Sequence, residues 1–261
     1  MRAACVITFR ATSPERLRNL HYVLRWLDRL PQLETLVVEQ DDAPRLDAGQ
    51  LPPSCRLRFV RSTAPFNKSW GFNVGFRATR ADLFVFADAD LLISHRHLTE
   101  ALTACATQYE VVRPWADVVD LTEAETQALI AGALDAAAVN VPDRRGRSRV
   151  GEQPPLCGGV YVMRAEVYER LGGQDERFRG WGGEDDAMSM KVRALCPRVA
   201  VARGAVAYHL HHPRHAEIPV DAPDYRNNVA ILREYQGLSR EALDALCTAQ
   251  RQTMGDEQRF S

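Results

Sequence analysis

Residues 83–90, Leu-Phe-Val-Phe-Ala-Asp-Ala-Asp, form an apolar run of strand length that stops at two carboxylates separated by one small residue. A strand with no polar alternation is buried on both faces and belongs inside a largely parallel sheet covered by helices. Asp88 and Asp90 then lie at its carboxyl end, where open α/β sheets bind their ligands. At i and i+2 they share one side of an extended chain, and anions that close repel unless a cation lies between them. A divalent ion with oxygen ligands meets that need. An Asx turn leaving a strand explains the pair more simply, so it must be weighed against the rest of the chain.

The flanks repeat a strand–helix–strand alternation. Residues 5–9 read as a strand and Ser13-Pro14 as a helix start. Leu17, Leu20, Val23, Leu24 and Leu27 then recur at three and four along a helix over residues 15–30. Strands follow at 33–38 and 56–60, with a polar loop at 49–54. A segment from Pro65 leads by a helix into the strand at Leu83, and the alternation predicts a nucleotide-binding α/β layer. Beyond Asp90 the pattern predicts a helix over 95–109, an extended piece over 111–115 and an alanine-rich helix over 122–138 on the outside of the fold. Residues 143–149 carry four arginines and a glycine with no apolar period, which reads as a solvated loop or as a lid. A strand over 157–163 and a short helix over 165–171 come next, the helix closed by Gly172-Gly173. Another helix opens within 180–186 and runs to Leu195, and 199–208 supply one or two strands. Two outer helices cover 224–235 and 239–249, and the end after Met254 reads as frayed.

Length and composition narrow the function classes. With 261 residues the chain can bury the core of one large α/β domain. A net charge of −1 argues against nucleic-acid binding through general electrostatics. No apolar run approaches a membrane span, and the apolar start is too short for a signal peptide. Six cysteines (Cys5, Cys55, Cys105, Cys157, Cys196, Cys247) are scattered without zinc or redox spacing and read as reduced thiols. The expectation is a cytoplasmic protein with no transmembrane segment, at most peripheral at the inner membrane face.

Two further stretches carry chemistry. In Gly180-Trp181-Gly182-Gly183-Glu184-Asp185-Asp186, glycines around an indole make a bendable backbone with an aromatic plate, suited to the C–H face of a sugar ring. Three acids then open a helix. Capping and the helix dipole explain one or two of them, but not the glycine-rich approach. A carboxylate here can take a proton from an attacking hydroxyl, provided that partial burial offsets the helix terminus, which lowers its pKa. Tyr208-His209-Leu210-His211-His212-Pro213 follows a strand and offers three imidazoles. A lone histidine is more often a core residue, but a cluster beside a carboxylate pair points to metal ligation. His209 ends the strand and is the favoured ligand, His212 the second; strand alternation places His211 on the face of His209.

Residues 66–76 (Phe-Asn-Lys-Ser-Trp-Gly-Phe-Asn-Val-Gly-Phe), 84–90 and 180–186, in that order, resemble the β-1,4-galactosyltransferase family and related bacterial inverting glycosyltransferases of the GT-A fold. The likeness covers most of residues 4–213. It implies a nucleotide-sugar donor, with Thr8, Phe9, Arg10, Phe66 and Lys68 around the base and diphosphate. Asp88 would lie against the nucleotide and Asp90 on a metal, manganese or else magnesium. Trp181 and Glu184 would hold sugar, on a loop with Gly182 and Gly183. Asp185 would be the base, and Asp186 would fix the acceptor. Gly158-Gly159 resembles the family's tight strand start near the acceptor. Two positions depart from the family: its second arginine, two residues past Arg10, is Thr12 here, and Lys68 stands where an arginine is usual. The animal members are membrane-anchored, so the resemblance implies a soluble bacterial relative.

The expected protein is a single GT-A domain over residues 1–261, a Rossmann-like, mostly parallel sheet flanked by helices. Residues 1–100 would form the nucleotide-sugar half, and 101–261 the acceptor half with the C-terminal helices. The expected reaction is metal-dependent, inverting transfer of a hexose or N-acetylhexosamine from a UDP-sugar. The acceptor would be a glycan, a lipid-linked sugar or a small molecule. Two other functions fit less well. A sugar-1-phosphate nucleotidyltransferase needs a glycine-rich loop after the first strand, and residues 8–13 contain no glycine. A carbohydrate- or nucleotide-sugar-binding protein without catalysis has no use for two intact acid sets.

Overall fold

The computed structural model describes residues 1–133, 147–148, 156, 159–213 and 222–260. Its first half is the alternation expected: β1 (Ala3–Phe9), α1 (Pro14–Leu27), β2 (Leu33–Asp41), β3 (Cys55–Arg61), α2 (Lys68–Ala78) and β4 (Leu83–Ala87). β1 lies between β2 and β4, β3 pairs with β2, and all four strands are parallel. After β5 (Leu91–Ile93) and α3 (His95–Thr107) come β6 (Val111–Arg113), β7 (Asp117–Asp120), α4 (Glu123–Ile130) and β8 (Arg147–Ser148). Then follow β9 (Val160–Arg164), α5 (Ala165–Arg170), α6 (Glu184–Leu195), β10 (Val199–Val201), β11 (Val206–His209), α7 (Pro223–Gly237) and α8 (Arg240–Thr253). The main sheet has the order β10-β6-β9-β4-β1-β2-β3. Only β9 runs against its neighbours, β4 and β6.

Every residue of β4 is buried, and its alternation feeds two cores. Leu83, Val85 and Ala87 pack with α1 and α3 on one face. Phe84 and Phe86 pack on the other with residues of α2, α5, α6, α7 and α8. There the Phe86 ring lies 4.2 Å from that of Tyr168, 5.1 Å from Tyr161 and 5.3 Å from Phe72. Truncating such a ring costs about 3–5 kcal/mol. A central strand packed this way gives Asp88 and Asp90 a rigid base.

The structure differs from the sequence reading in four places. A second sheet, β5-β11-β7-β8, was not expected, because strands of three or four residues are too short to show a period. The helix expected over 122–138 is α4, and it is no outlying insertion: Thr126 is fully buried, and its hydroxyl accepts from the His211 backbone. The helix ends at Ile130, short of the expected bound, and residues 134–138 lie outside the described residues. The end after Met254 is docked, not frayed. Trp70 Nε1 donates to Asp256 O, Arg259 pairs with Glu176 at 2.9 Å, and Phe260 packs edge-on against Trp70. The fourth difference is His211, which does not share the face of His209, because the chain leaves the strand at Leu210.

Of the arginine-rich stretch, only 147–148 are described, paired antiparallel to β7; the rest of this stretch, read as a loop or a lid, lies outside the described residues, as do Gly158 and Cys157. Cys5, Cys55, Cys105, Cys196 and Cys247 are free thiols. Among the described residues no helix is long and apolar enough to cross a membrane.

Candidate active site

The register of the small sheet builds one end of the site. β11 lies between β5 and β7, and its last residue, His209, pairs with Leu91 on one side and Asp120 on the other. Asp90 immediately precedes β5, so the strand pairing alone brings His209, Asp90 and Asp120 together. Leu210 N then donates to Asp90 O at 2.8 Å, turning the chain so that His212 returns to the same carboxylate. His212 Nε2 lies 3.2 Å from Asp90 Oδ2, and His209 Nε2 lies 3.5 Å from Asp90 Oδ1. One ligand atom from each of Asp90, His209 and His212 falls within 4.8 Å of the others.

Partners behind the rings fix their orientation. His209 Nδ1 meets Asp120 Oδ1 at 3.1 Å, and His212 Nδ1 meets the Pro213 carbonyl at 3.0 Å. A carbonyl only accepts, and an ionised carboxylate likewise, so both Nδ1 atoms carry hydrogen, and both Nε2 atoms face Asp90, where they donate to its carboxylate when protonated and offer a lone pair to an ion when not. Two imidazoles and a carboxylate with open lone pairs suit a divalent transition ion. Burial opposes charge on Asp90, yet the His212 hydrogen bond and the charges of His209 and Arg16 hold its carboxyl well below the usual range. His211 turns away to Glu123 at 2.8 Å, and its carbonyl accepts from Asn19 and Arg18 of α1.

The other end gathers around one ammonium. Lys68 Nζ lies 3.0 Å from Asp88, 3.2 Å from Asp185 and 3.9 Å from Glu184. Its place is set by Asn67, the N-cap of α2, whose side chain accepts from Trp70 N and donates to Glu176 O. The acids occupy the first turn of α6, capped by Gly183 at φ +95°, where any Cβ would also press on the Phe178 ring. Burial pulls the Lys68 ammonium down, but Asp185, Asp88 and Glu184 more than reverse this and hold it well above its ordinary value. Glu184 is pushed up to about 7 by burial and by the Asp185 charge, with Lys68 opposing. Among the described residues, these three carboxylates share the Lys68 ammonium.

The remaining expected site residues divide. Arg10 stacks on Phe66 at 5.9 Å and donates to the carbonyls of Gln40, at 2.7 Å, and Ala64, at 2.9 Å. Thr8 is buried, with its hydroxyl accepting from Gln40 Nε2, and a Cβ on Gly71 would collide with both. Phe9 is 2% exposed and packs in the core, so its ring cannot reach a ligand. Trp181 is 65% exposed and stacks on Tyr225 at 6.0 Å, while Asn228 Nδ2 donates to the carbonyls of Arg179 and Trp181. Gly180 N donates to Phe66 O at 2.8 Å, tying this loop to the Phe66 segment. Gly182 (φ +97°) lies in the same turn, and Asp186 is the third acid of α6. Sequence reasoning missed Asp120, Gln40 and Arg16. Asp120 gave the only readable signal, an acid closing a short apolar run.

Residues 8–172 match the family described as Glycosyl transferase family 2, and residues 149–215 match one described as the N-terminal domain of galactosyltransferase. A putative polypeptide N-acetylgalactosaminyltransferase 10 of Caenorhabditis briggsae is 28% identical over 148 residues, 50% of this chain and 24% of that protein. Beta-1,4-galactosyltransferase 5 of Homo sapiens is 26% identical over 184 residues, 70% of this chain and 39% of that protein. The chain thus matches well under half the length of either relative. The catalytic domain of Drosophila beta1,4galactosyltransferase 7, solved with xylobiose, superposes with a TM-score of 0.57 at 17% identity, covering 93% of this chain and 83% of that one. GalNAc-T7, solved with UDP, GalNAc and Mn2+, superposes with a TM-score of 0.58 at 15% identity, covering 97% of this chain and 55% of that one.

Proposed function

The chain belongs to glycosyl transferase family 2 and has the GT-A fold, and from that premise we propose that it transfers a sugar from a nucleoside-diphosphate sugar, a UDP-sugar foremost, to an acceptor hydroxyl with inversion. One observation carries the reading: Lys68 contacts both Asp88, two residues from the metal-site carboxylate, and Asp185, at the head of α6. This closeness supports a single site for the expected donor and acceptor groups.

In this reading Asp185 accepts the acceptor hydroxyl's proton as its oxygen attacks the anomeric carbon. The bond from that carbon to the diphosphate oxygen breaks, the electron pair leaves with the diphosphate, and the configuration inverts. Asp90, His209 and His212 would hold the divalent ion, manganese before magnesium because two ligands are imidazoles; when bound, it supplies positive charge to the leaving diphosphate. Glu184, near half-protonation at neutral pH, can donate a hydrogen bond to a sugar hydroxyl. Trp181 offers one indole face to a sugar ring, the other being stacked on Tyr225. Arg10 and Phe66 wall the base, with Thr8 supporting them from the core, and Asp186 borders the acceptor. Residues 1–100 and 101–261 then act as halves of one domain, since β6, β9 and β10 complete the main sheet begun by β1 to β4.

A thermal-shift panel of UDP-, GDP- and ADP-sugars with MnCl2 tests the donor class. We expect stabilisation by UDP-sugars, its loss in EDTA, and slow release of UDP. A chain that no nucleotide sugar stabilises, with or without manganese, would contradict the proposal.

A further inference from the structure

A diphosphate needs side-chain donors as well as a metal ion, and the two basic residues expected to serve it are already engaged. The Arg10 guanidinium is held by backbone carbonyls and by the Phe66 ring. Lys68 is shared among three carboxylates. The position where the resembled family carries its second arginine is Thr12.

Arg16 lies four residues beyond Thr12, as the third residue of α1. Its backbone N–H is capped by Ser13 Oγ at 3.3 Å, which fixes its position in the first turn. Its guanidinium reaches toward the metal cluster: Nη2 lies 3.7 Å from Asp90 Oδ2, the oxygen that also faces His212 Nε2. At 3.7 Å this is a charge contact, too long for a hydrogen bond. Among the described residues it is the only ion pair Arg16 makes. Its side chain is 33% exposed, so it stands at the rim of the cluster and not in the core.

A divalent ion held by Asp90, His209 and His212 would face this guanidinium as a like charge. An anion shared by the two resolves the repulsion. A guanidinium fork matches phosphate oxygens, and the first turn of a helix adds to the attraction. We infer that Arg16 binds the diphosphate of the nucleotide sugar. The inference rests on the donor-site reading above.

Calorimetry of the full chain with UDP, UMP and uridine in MnCl2 tests it on wild type, Arg16→Gln and Arg16→Lys, with matching thermal melts as a check of folding. Arg16→Gln should weaken UDP at least tenfold, UMP less, and leave uridine unchanged. Arg16→Lys should restore part of the UDP affinity, as a point charge without the fork. Manganese binding without nucleotide, read by electron paramagnetic resonance, should hold or tighten once a cation beside Asp90 is gone. Equal UDP affinity in wild type and Arg16→Gln would overturn the inference. So would a loss of manganese binding matching the loss of UDP binding, since Arg16 would then only brace Asp90. A wild-type chain that binds no nucleotide with manganese would bring down the donor-site reading itself, and the inference with it.

Discussion

The candidate metal cluster and the acid turn of α6 meet across Asp88-Ala89-Asp90 and are built in opposite ways. At the metal end each imidazole has a partner behind it, and the turn that carries both is tied to α1 and α4. Those ties hold the ring nitrogens in place whether or not an ion is bound. At the acid end three carboxylates share one ammonium, and burial with like charge raises Glu184 to about 7. One region is arranged to persist, the other to exchange partners when a ligand brings charge or hydroxyl groups. Buried like charge is costly to a fold and clusters where chemistry happens.

The sharpest way to break the comparison is Asp185→Asn. Under the proposed function this variant loses the base and should lower turnover by roughly a hundredfold or more. Manganese affinity should stay unchanged, because no ligand has moved. Rate assays beside calorimetry read both; a variant keeping half its rate would remove Asp185 from the mechanism.

Next come the two histidines. Both Nε2 atoms face Asp90, so His209→Ala and His212→Ala should each raise the manganese concentration for half-maximal activity at least tenfold. His211→Ala should move it little, its ring being on Glu123. One histidine variant behaving like wild type would reduce the cluster to a single imidazole ligand. Asp120→Asn asks whether the metal end depends on its outer partners. It keeps the shape but loses the charge that orients His209, and manganese affinity measured by paramagnetic resonance should fall by about tenfold, the low end for such groups. An unchanged affinity would mean that strand pairing alone positions His209.

How much of this was legible in the chain depends on range. The four parallel strands, β4 above all, show in apolar runs long enough to carry a period, and the acids at 180–186 open a helix as their spacing requires. The second sheet was hidden, because β5 and β7 are three or four residues long and gain meaning only when β11 lies between them. His211 was misplaced for the same reason: alternation cannot show that the chain stops being extended at Leu210, where its N–H turns to Asp90 O. The docked end was hidden too, since Arg259 and Glu257 look like solvated charges until Glu176 and Arg58 are found beside them. The resemblance implies Lys68 beside the diphosphate, and nothing in the sequence shows its three carboxylate partners.

The smallest expected effect bears directly on the acid end. Glu184 has its folded carboxyl raised to about 7 from 4.5, chiefly by burial and by Asp185. Between those values the folded chain holds a proton that the unfolded chain has released, so stability falls as pH rises from about 4.5 to 7. The loss is complete by about pH 8, and Glu184 is then a charge the fold tolerates at a cost. Glu184→Gln keeps the size and removes the charge. The variant should melt about 2–4 °C higher than wild type at pH 8, the shift expected for roughly 1 kcal/mol in a chain of this size, with the gap closing by pH 4. Manganese affinity should not change, which separates this end of the site from the other. A melting gap equal at both pH values would mean that the gain comes from something other than charge, and a lower melting temperature at pH 8 would mean that the ionised carboxylate supports the fold through Lys68. Either result would erase the contrast between the two ends.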